Sequence, residues 1–170
     1  MKYILTIFQL SLVLFFLGGC DMRFPASGLP SEKPLQNTCA YVAANIHIMG
    51  LTEIVPSRRT GQSTILRVYV DLMDSFDRRM KSPGVLRIEV YEFVPRSSDS
   101  RGSRLFIQPD LDLTDMGEND KYWQDHLRTY HFDLPLDFVP EPGSAFIIEA
   151  TFLPPGGKRL NDKFHLKYQK

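Results

Sequence analysis

The sequence predicts an all-β fold, a single antiparallel β-sandwich of about seven strands over residues 39–170. From residue 41 onward, apolar and polar residues alternate in short runs, as in strands that bury one face. Clusters of proline and glycine separate these runs, and such clusters form the turns between antiparallel strands. The sequence contains no internal repeat and no low-complexity tract that would suggest another architecture.

The first half of the domain holds the clearest strand signals. "NIHIMGLTEIV" is a strand candidate, and "TILRVYVDLMD" alternates most regularly. In the latter, Arg67, Tyr69 and Asp71 fall on a face that we expect to meet solvent. The opposite, apolar face carries Leu66, Val68, Val70 and Leu72. "VLRIEVYEFV" repeats the pattern after the polar connection "SFDRRMKSPG", whose Pro-Gly end is a turn signal.

The second half continues the alternation. "RLFIQPD" and "HLRTYHFDL" are strand candidates, and the second places Tyr130, Phe132 and Leu134 on one face. "SAFIIEATFL" and "RLNDKFHLKY" form a further pair joined by the hairpin loop "PPGGK". The only helical signal is "NDKYWQDHL", where an Asn or Asp side chain can cap a single turn.

The stretch "VDLMDSFDRRMKSPGVLRIEVYEF" resembles the strand-turn-strand unit of extracellular immunoglobulin-like and transthyretin-like modules. In those modules an acid and a small or aromatic residue open the loop between two core strands. The resemblance implies a sandwich of this kind. The sequence lacks the Cys…Trp…Cys spacing of true immunoglobulin domains, so the likeness indicates an architecture and no single family.

The N-terminus has the form of an export signal. Lys2 supplies one positive charge, and residues 4–17 carry no charge. This run is shorter than the about 20 apolar residues that a membrane-spanning helix needs. Its length suits the apolar region of a secretory signal peptide, which small residues follow.

The motif Leu17-Gly18-Gly19-Cys20 resembles the lipobox of bacterial lipoproteins. The resemblance implies that Cys20 is lipidated and that a peptidase cuts between Gly19 and Cys20, which removes residues 1–19. An ordinary signal peptide with a coincidental cysteine is the alternative. Two or three acyl chains on one cysteine anchor a protein firmly, because one chain alone binds a membrane only marginally.

Residues 20–38 follow as the lipidated cysteine and an extended, flexible linker rich in proline, glycine and serine. A first irregular strand wrapped on the domain is the alternative. We therefore expect a membrane-anchored lipoprotein of the bacterial cell envelope, exposed to the periplasm or the exterior. Its expected partners are the membrane, through Cys20, and another envelope protein.

Charge and cysteine content narrow the function further. The chain has 20 basic and 20 acidic side chains and no basic stripe, so nucleic acid is not an expected partner. With Cys20 lipidated, Cys39 has no disulfide partner, and two cysteines cannot form a paired zinc site. We expect Cys39 to be a small buried residue and expect no cofactor.

Sequence signatures of catalysis are also absent. "GQSTI" at residues 61–65 contains Ser63 but has Ile65 where a nucleophile elbow needs its second glycine. No phosphate-binding loop, dinucleotide-binding glycine pattern or H-E-x-x-H occurs. We expect all four histidines to face solvent: His47, His126, His131 and His165.

The most polar stretch is "PDLDLTDMGENDKYW". Counted from Asp110, it places Asp115 at the sixth position of an EF-hand, where a glycine is needed. We expect a solvated loop whose Asp side chains form turns and cap a short helix, without metal. The alternative is a calcium loop of the kind found in C2-like sandwich domains, with ligands from Asp110, Asp112, Asp115 and Asp120.

Trp123 lies beside Tyr122 at the end of this stretch. We expect Trp123 to be a core residue or a lid over one end of the sandwich, and an exposed recognition pair is the alternative.

Together these features predict a lipid-anchored envelope protein with a non-catalytic binding or structural domain. An accessory lipoprotein subunit of an envelope machine, such as a secretion system, is the first alternative. An enzyme with a site of scattered acids is the second. An exposed apolar patch in the structure favours docking, whereas two convergent carboxylates in a deep cleft favour an enzyme.

Overall fold

A computed structural model describes residues 42–57 and 64–169 of the chain. All of them belong to one compact unit. Several expectations lie outside the described residues: the signal peptide, Gly19, Cys20, the linker 20–38, Cys39 and Ser63.

The described residues form ten strands and one short helix. In chain order these are β1 (Asn45–Ile48), β2 (Glu53–Pro56), β3 (Thr64–Met73), β4 (Val85–Phe93), β5 (Arg101–Ile107), β6 (Leu111–Asp112), α1 (Met116–Tyr122), β7 (Trp123–Gln124), β8 (Thr129–Leu136), β9 (Ala145–Leu153) and β10 (Leu160–Lys167). Strands β6 and β7 have only two residues each, so no alternation in the sequence reveals them. No helix within the described residues is long and apolar enough to cross a membrane.

The strands pair into two antiparallel sheets, and the predicted β-sandwich is confirmed. Sheet 1 has the order β1-β3-β8-β7, with β2 beside β1 on the same edge of β3. Sheet 2 has the order β10-β9-β4-β5, with β6 beside the start of β4. A turn, in which the Thr52 backbone N–H donates to the Met49 carbonyl, divides the first strand candidate into β1 and β2.

The core lies between the two sheets. The apolar residues predicted to point inward from β3, β4, β8 and β9 are all buried, and Val68, Val70, Ile88 and Ile148 are completely so. Burying one such side chain stabilises the fold by about 1.5–3 kcal/mol. On one side of the sandwich the two sheets are joined directly, because the Asp162 carboxylate on β10 accepts a hydrogen bond from the Ile48 backbone N–H on β1 at 2.7 Å.

Asp71 corrects one expectation for β3. It lies on the outer face of sheet 1 as predicted, but its side chain is only 2% exposed. The connection from β3 to β4 folds back over this face and places Arg79 Nε 3.0 Å from Asp71 Oδ2. Alternation within a strand cannot show this burial, because the covering residue comes from a loop.

The two ends of the sandwich differ. At one end, here called the entry end, Asn45 pairs with Met73 and the Ala43 backbone N–H donates to Ser82 Oγ. At the opposite end, here called the groove end, β8 gives way to the connection 137–144, which crosses from sheet 1 to sheet 2. The described chain therefore begins at the end opposite to this connection.

Candidate binding site

The aspartates of the acidic stretch that were candidates for calcium binding each have a separate local partner. Asp110 accepts two hydrogen bonds from Arg87, at 2.7 and 2.9 Å, and these hold the pKa of its carboxyl group below the usual value. Asp112 accepts hydrogen bonds from the side chain and backbone of Thr114, which lower its pKa in the same way. Among the described residues, no three His, Cys, Asp or Glu side chains are grouped so that they could hold a metal ion.

The other two calcium candidates have local partners as well. Asp115 caps α1 by accepting a hydrogen bond from the Glu118 backbone N–H at 2.9 Å, as a helix-capping Asp is expected to do. Asp120 pairs with Lys81 at 2.6 Å. Helix α1 begins earlier than the stretch "NDKYWQDHL" suggested and ends before Trp123. Its capping residue is the aspartate that precedes Met116.

A buried polar network fastens α1 to the sandwich. The Asn119 side chain donates to the carbonyls of Leu113 and Ser82, at 2.8 and 3.1 Å, and accepts from the Tyr130 hydroxyl at 2.8 Å. Burial raises the pKa of Tyr130. Since buried polar groups need such partners, the network explains why α1 and the chain around Ser82 stay together at the entry end.

Trp123 and Tyr122 cover the same end of the core. Trp123 is half-buried, and its ring forms a T-shaped contact with the Tyr130 ring at 5.1 Å between centroids. Its Nε1–H donates to Asp125 at 2.8 Å. The Tyr122 ring packs on Phe132 at 4.8 Å. Trp123 is thus placed as a lid over the entry end, one of the two positions expected from the sequence.

The histidines are mostly exposed, as expected. His47, His126 and His165 are exposed, whereas His131 is half-buried. His131 is less exposed than the other three because its ring stacks on Tyr69 of the neighbouring strand at 4.8 Å. Such a cross-strand pair is set by register and not by the local sequence.

Two carboxylates converge on the outer face of sheet 2, where Glu89 and Glu149 are paired across β4 and β9. Arg104 contacts Glu89 at 2.9 Å, and Arg101 contacts Glu149 at 2.7 Å. A glycosidase needs one carboxylic acid and one free carboxylate across a substrate cleft. Here each carboxylate forms an ion pair with an arginine, and the two carboxylates lie on the face of a sheet.

Two cavities formed by described residues bear on binding. One, of about 550 Å³, lies at the entry end between α1 and the chain around Pro83. Its charged lining residues, Lys81 and Asp120, are paired with each other. The second, of about 400 Å³, lies at the groove end and is here called the end groove. Its charged lining residues have no partner, so it is the stronger candidate for binding.

The end groove lies between the edge of sheet 2 and the connection 137–144. Apolar residues line both sides: Phe93, Leu105, Phe138, Val139, Pro140, Ala145 and Phe146. Leu105 is 36% exposed and Val139 66% exposed. An apolar surface left open to water at this end is what a docking site requires.

A bulge brings Leu105 into the groove. In the β4–β5 ladder Val90 pairs with Phe106 and Tyr91 with Arg104, so Leu105 has no cross-strand partner. A second irregularity follows before Phe93. Bulges of this kind redirect a side chain out of the strand's alternation. The stretch "RLFIQPD" shows a strand but not the bulge, so sequence analysis missed this residue.

The opposite wall is held in place by hydrogen bonds. Thr64 Oγ1 donates to the Phe138 carbonyl at 2.7 Å, and the Gly143 backbone N–H donates to the Tyr168 carbonyl at 3.0 Å. Gly143 has φ +87°, a conformation that side-chain-bearing residues rarely adopt. The Phe138 ring also packs on the buried Phe146 at 5.8 Å. The groove is therefore formed by contacts within the chain itself, and a preformed site lowers the ordering cost of binding.

The charged residues that line the groove are both acidic. Glu92 lies two residues after the buried Val90 on β4 and therefore on the same face of the strand. Its carboxylate lies at the groove end, where the row of apolar side chains on that face ends. Glu141 lies in the connection on the other side. Within the described structure neither carboxylate has a hydrogen bond or an ion pair, in contrast to Glu89 and Glu149 on the nearby sheet face.

Comparison with known proteins adds no assignment. No protein-family model, no curated protein and no solved structure matches this chain. The lipobox-like motif in the sequence and the end groove in the structure are the two features on which a functional proposal can be based.

Proposed function

We propose that this protein is a lipid-anchored component of the bacterial cell envelope whose sandwich domain binds a partner protein through the end groove. The proposed anchor is Cys20, supported by the lipobox Leu17-Gly18-Gly19-Cys20. The proposed binding role is carried by one observation, the preformed apolar groove with exposed Leu105 and Val139.

The position of the groove suits an anchored protein. The described chain starts at the entry end, where Ala43 and Asn45 make their contacts, and the groove is at the other end. A domain that is tethered through the residues before 42 can turn its groove end away from the membrane. Partners in the periplasm or the exterior can then reach Leu105 and Val139.

Metabolic labelling with an alkyne-bearing palmitate tests the anchor. We expect label in the wild-type chain and in Cys39→Ser, both in the membrane fraction. Cys20→Ser should carry no label and migrate more slowly, because the signal peptide stays attached. A Cys20→Ser protein that is still acylated and cleaved would contradict the proposed anchor.

Photo-cross-linking in the producing cell tests the groove. We expect p-benzoyl-phenylalanine at position 139 to give a discrete protein adduct, and Leu105→Ser to remove it. The same group at Leu153, an exposed apolar residue of the entry end, is the matched control and should give none. Equal adducts from positions 139 and 153 would show that the groove is not a specific docking site.

A further inference from the structure

We infer that the end groove recognises an extended polypeptide segment of its partner in which a large apolar side chain lies next to a lysine or arginine. This inference rests on the proposed docking function and names the chemistry of the partner. It is carried by the charge of the groove, because the two charged side chains on its walls, Glu92 and Glu141, are both acidic and both unpaired within the described structure.

Glu92 and Glu141 are both exposed, and their lack of a cationic partner differs from the other carboxylates near this part of sheet 2. Four carboxylates on or beside the outer face of sheet 2 each have an arginine within 3 Å: Glu89, Asp99, Asp110 and Glu149. The two carboxylates of the groove have no such neighbour. A lysine or arginine of a partner would form with them the ion pair that the protein's own arginines form with the other four carboxylates.

The apolar walls of the groove strengthen the electrostatic attraction between such a cation and the two carboxylates, compared with the same pair on an open surface. Glu92 is paired with the buried Phe146 across β4 and β9, and a Cβ atom at Gly102 would lie only 3.3 Å from the Glu92 Cβ. A bound apolar side chain excludes water from such a groove, which strengthens the attraction between a carboxylate and a nearby cation. Apolar anchor and positive charge are therefore recognised together.

The size of the groove limits the interaction. A cavity of about 400 Å³ accommodates one large side chain and parts of its neighbours. The buried area then lies at the low end for protein interfaces, which is typical of weak, transient encounters. A dissociation constant on the order of 10–100 μM is expected for such a segment.

A second copy of the chain fits the groove less well. The exposed aromatic residue best placed to enter a neighbour's groove is Phe76, 77% exposed on the turn at the entry end. Asp74 and Asp77 flank it and Arg78 follows, so the turn presents no net positive charge to Glu92 and Glu141. The charge complementarity on which the inference rests is therefore weaker for a second copy than for a segment with a lone cation.

Binding of short synthetic peptides to the full-length protein in detergent micelles tests the inference. We expect fluorescein-labelled Ser-Phe-Arg-Phe-Ser to bind, measured by fluorescence anisotropy. Ser-Phe-Glu-Phe-Ser and Ser-Ala-Arg-Ala-Ser should each bind at least about tenfold more weakly, because each lacks one of the two features. Raising sodium chloride should weaken the first peptide most, since part of its affinity is electrostatic.

Paired variants locate the binding. Glu92→Gln with Glu141→Gln should weaken Ser-Phe-Arg-Phe-Ser about tenfold and leave an uncharged Ser-Phe-Gln-Phe-Ser unchanged. Asp77→Asn with Asp125→Asn makes the same change in net charge at the entry end and should alter neither affinity. Equal loss in both pairs would reduce the effect to net charge and overturn the inference.

Three other outcomes also overturn it. Tighter binding of Ser-Phe-Glu-Phe-Ser than of Ser-Phe-Arg-Phe-Ser would show that the groove prefers a negative charge. Concentration-dependent self-association that Phe76→Ser abolishes would make a second copy the occupant. If no peptide binds while position 139 still gives its specific adduct, docking stands and the basic apolar segment does not. Loss of that adduct instead would end the proposed docking function itself.

Discussion

The charge of Asp71, buried on strand β3, is balanced mainly by one residue of a connecting loop, Arg79. Its carboxylate is buried on the outer face of sheet 1, with Arg79 as its closest charged partner and His47 Nδ1 at 3.9 Å. The other oxygen, Oδ1, has no hydrogen-bond partner within the described structure. A buried carboxylate that loses its cation is costly, because its remaining attraction cannot offset desolvation.

We therefore expect Arg79→Ala to lower the free energy of unfolding by about 2 kcal/mol, less than for a fully buried pair because Arg79 is partly exposed. The double change Arg79→Ala with Asp71→Asn should recover part of this loss, since the orphaned charge is gone. Urea denaturation of the single and double variants measures both values. A double variant less stable than Arg79→Ala would show that the charge is not the cause.

At the scale of elements, Gly84 sets how closely β4 approaches β9. A Cβ atom at this position would lie 2.8 Å from the Leu153 carbonyl and against the Phe152 ring, both on β9. No side chain fits there without moving the strand. Gly84→Ala should lower the unfolding free energy by about 1–3 kcal/mol, the usual cost of overpacking a core.

Gly50 provides the matched control for this change. It lies in the turn between β1 and β2, and a Cβ atom there has no neighbour within 4 Å. Gly50→Ala should therefore change stability by less than about 0.5 kcal/mol. Thermal melts of the two variants compare them directly, and equal shifts in Tm would contradict the close packing assigned to Gly84.

The long strands could be predicted because a sandwich imposes a period of two wherever one face is buried. Val68 and Val70 follow that rule, and both are completely buried. The bulge at Leu105 and the burial of Asp71 could not be predicted in this way. The first depends on pairing with β4, and the second depends on a loop that returns across the sheet.

The end groove, like the bulge and the burial of Asp71, could not be predicted from the sequence. Its walls come from the end of β4, the bulge in β5 and the connection 137–144, which are far apart in the sequence. Only the packing of the two sheets brings them together. The isolated carboxylates of Glu92 and Glu141 give no sequence signal either, because a glutamate near a strand end is ordinarily a solvated residue.

At the scale of the whole molecule, the buried hydroxyl of Tyr130 links global stability to alkaline pH. Desolvation raises its pKa above the ordinary value of 10.0. The folded state then holds this proton more tightly than the unfolded state does. The stability it contributes is complete below pH 10 and is lost as the pH rises through the folded pKa.

We expect the unfolding free energy, measured in urea, to fall as the pH rises above 10 more steeply in the wild type than in Tyr130→Phe. The variant should be less stable at pH 8, because Asn119 loses its hydroxyl partner. Tyr122→Phe, which leaves the contact between Asn119 and Tyr130 in place, is the control for loss of a tyrosine hydroxyl at pH 8. Identical slopes in the wild type and Tyr130→Phe would remove Tyr130 as the titrating group.

The bulged edge of β5 has a consequence for the protein at high local concentration. An edge strand with regular spacing offers a template on which neighbouring molecules can add strands and aggregate. In β5 two register irregularities break that spacing along a strand of seven residues. The same distortion that exposes Leu105 thus makes the edge a poor template, so a high local concentration of the protein need not lead to sheet-to-sheet polymerisation.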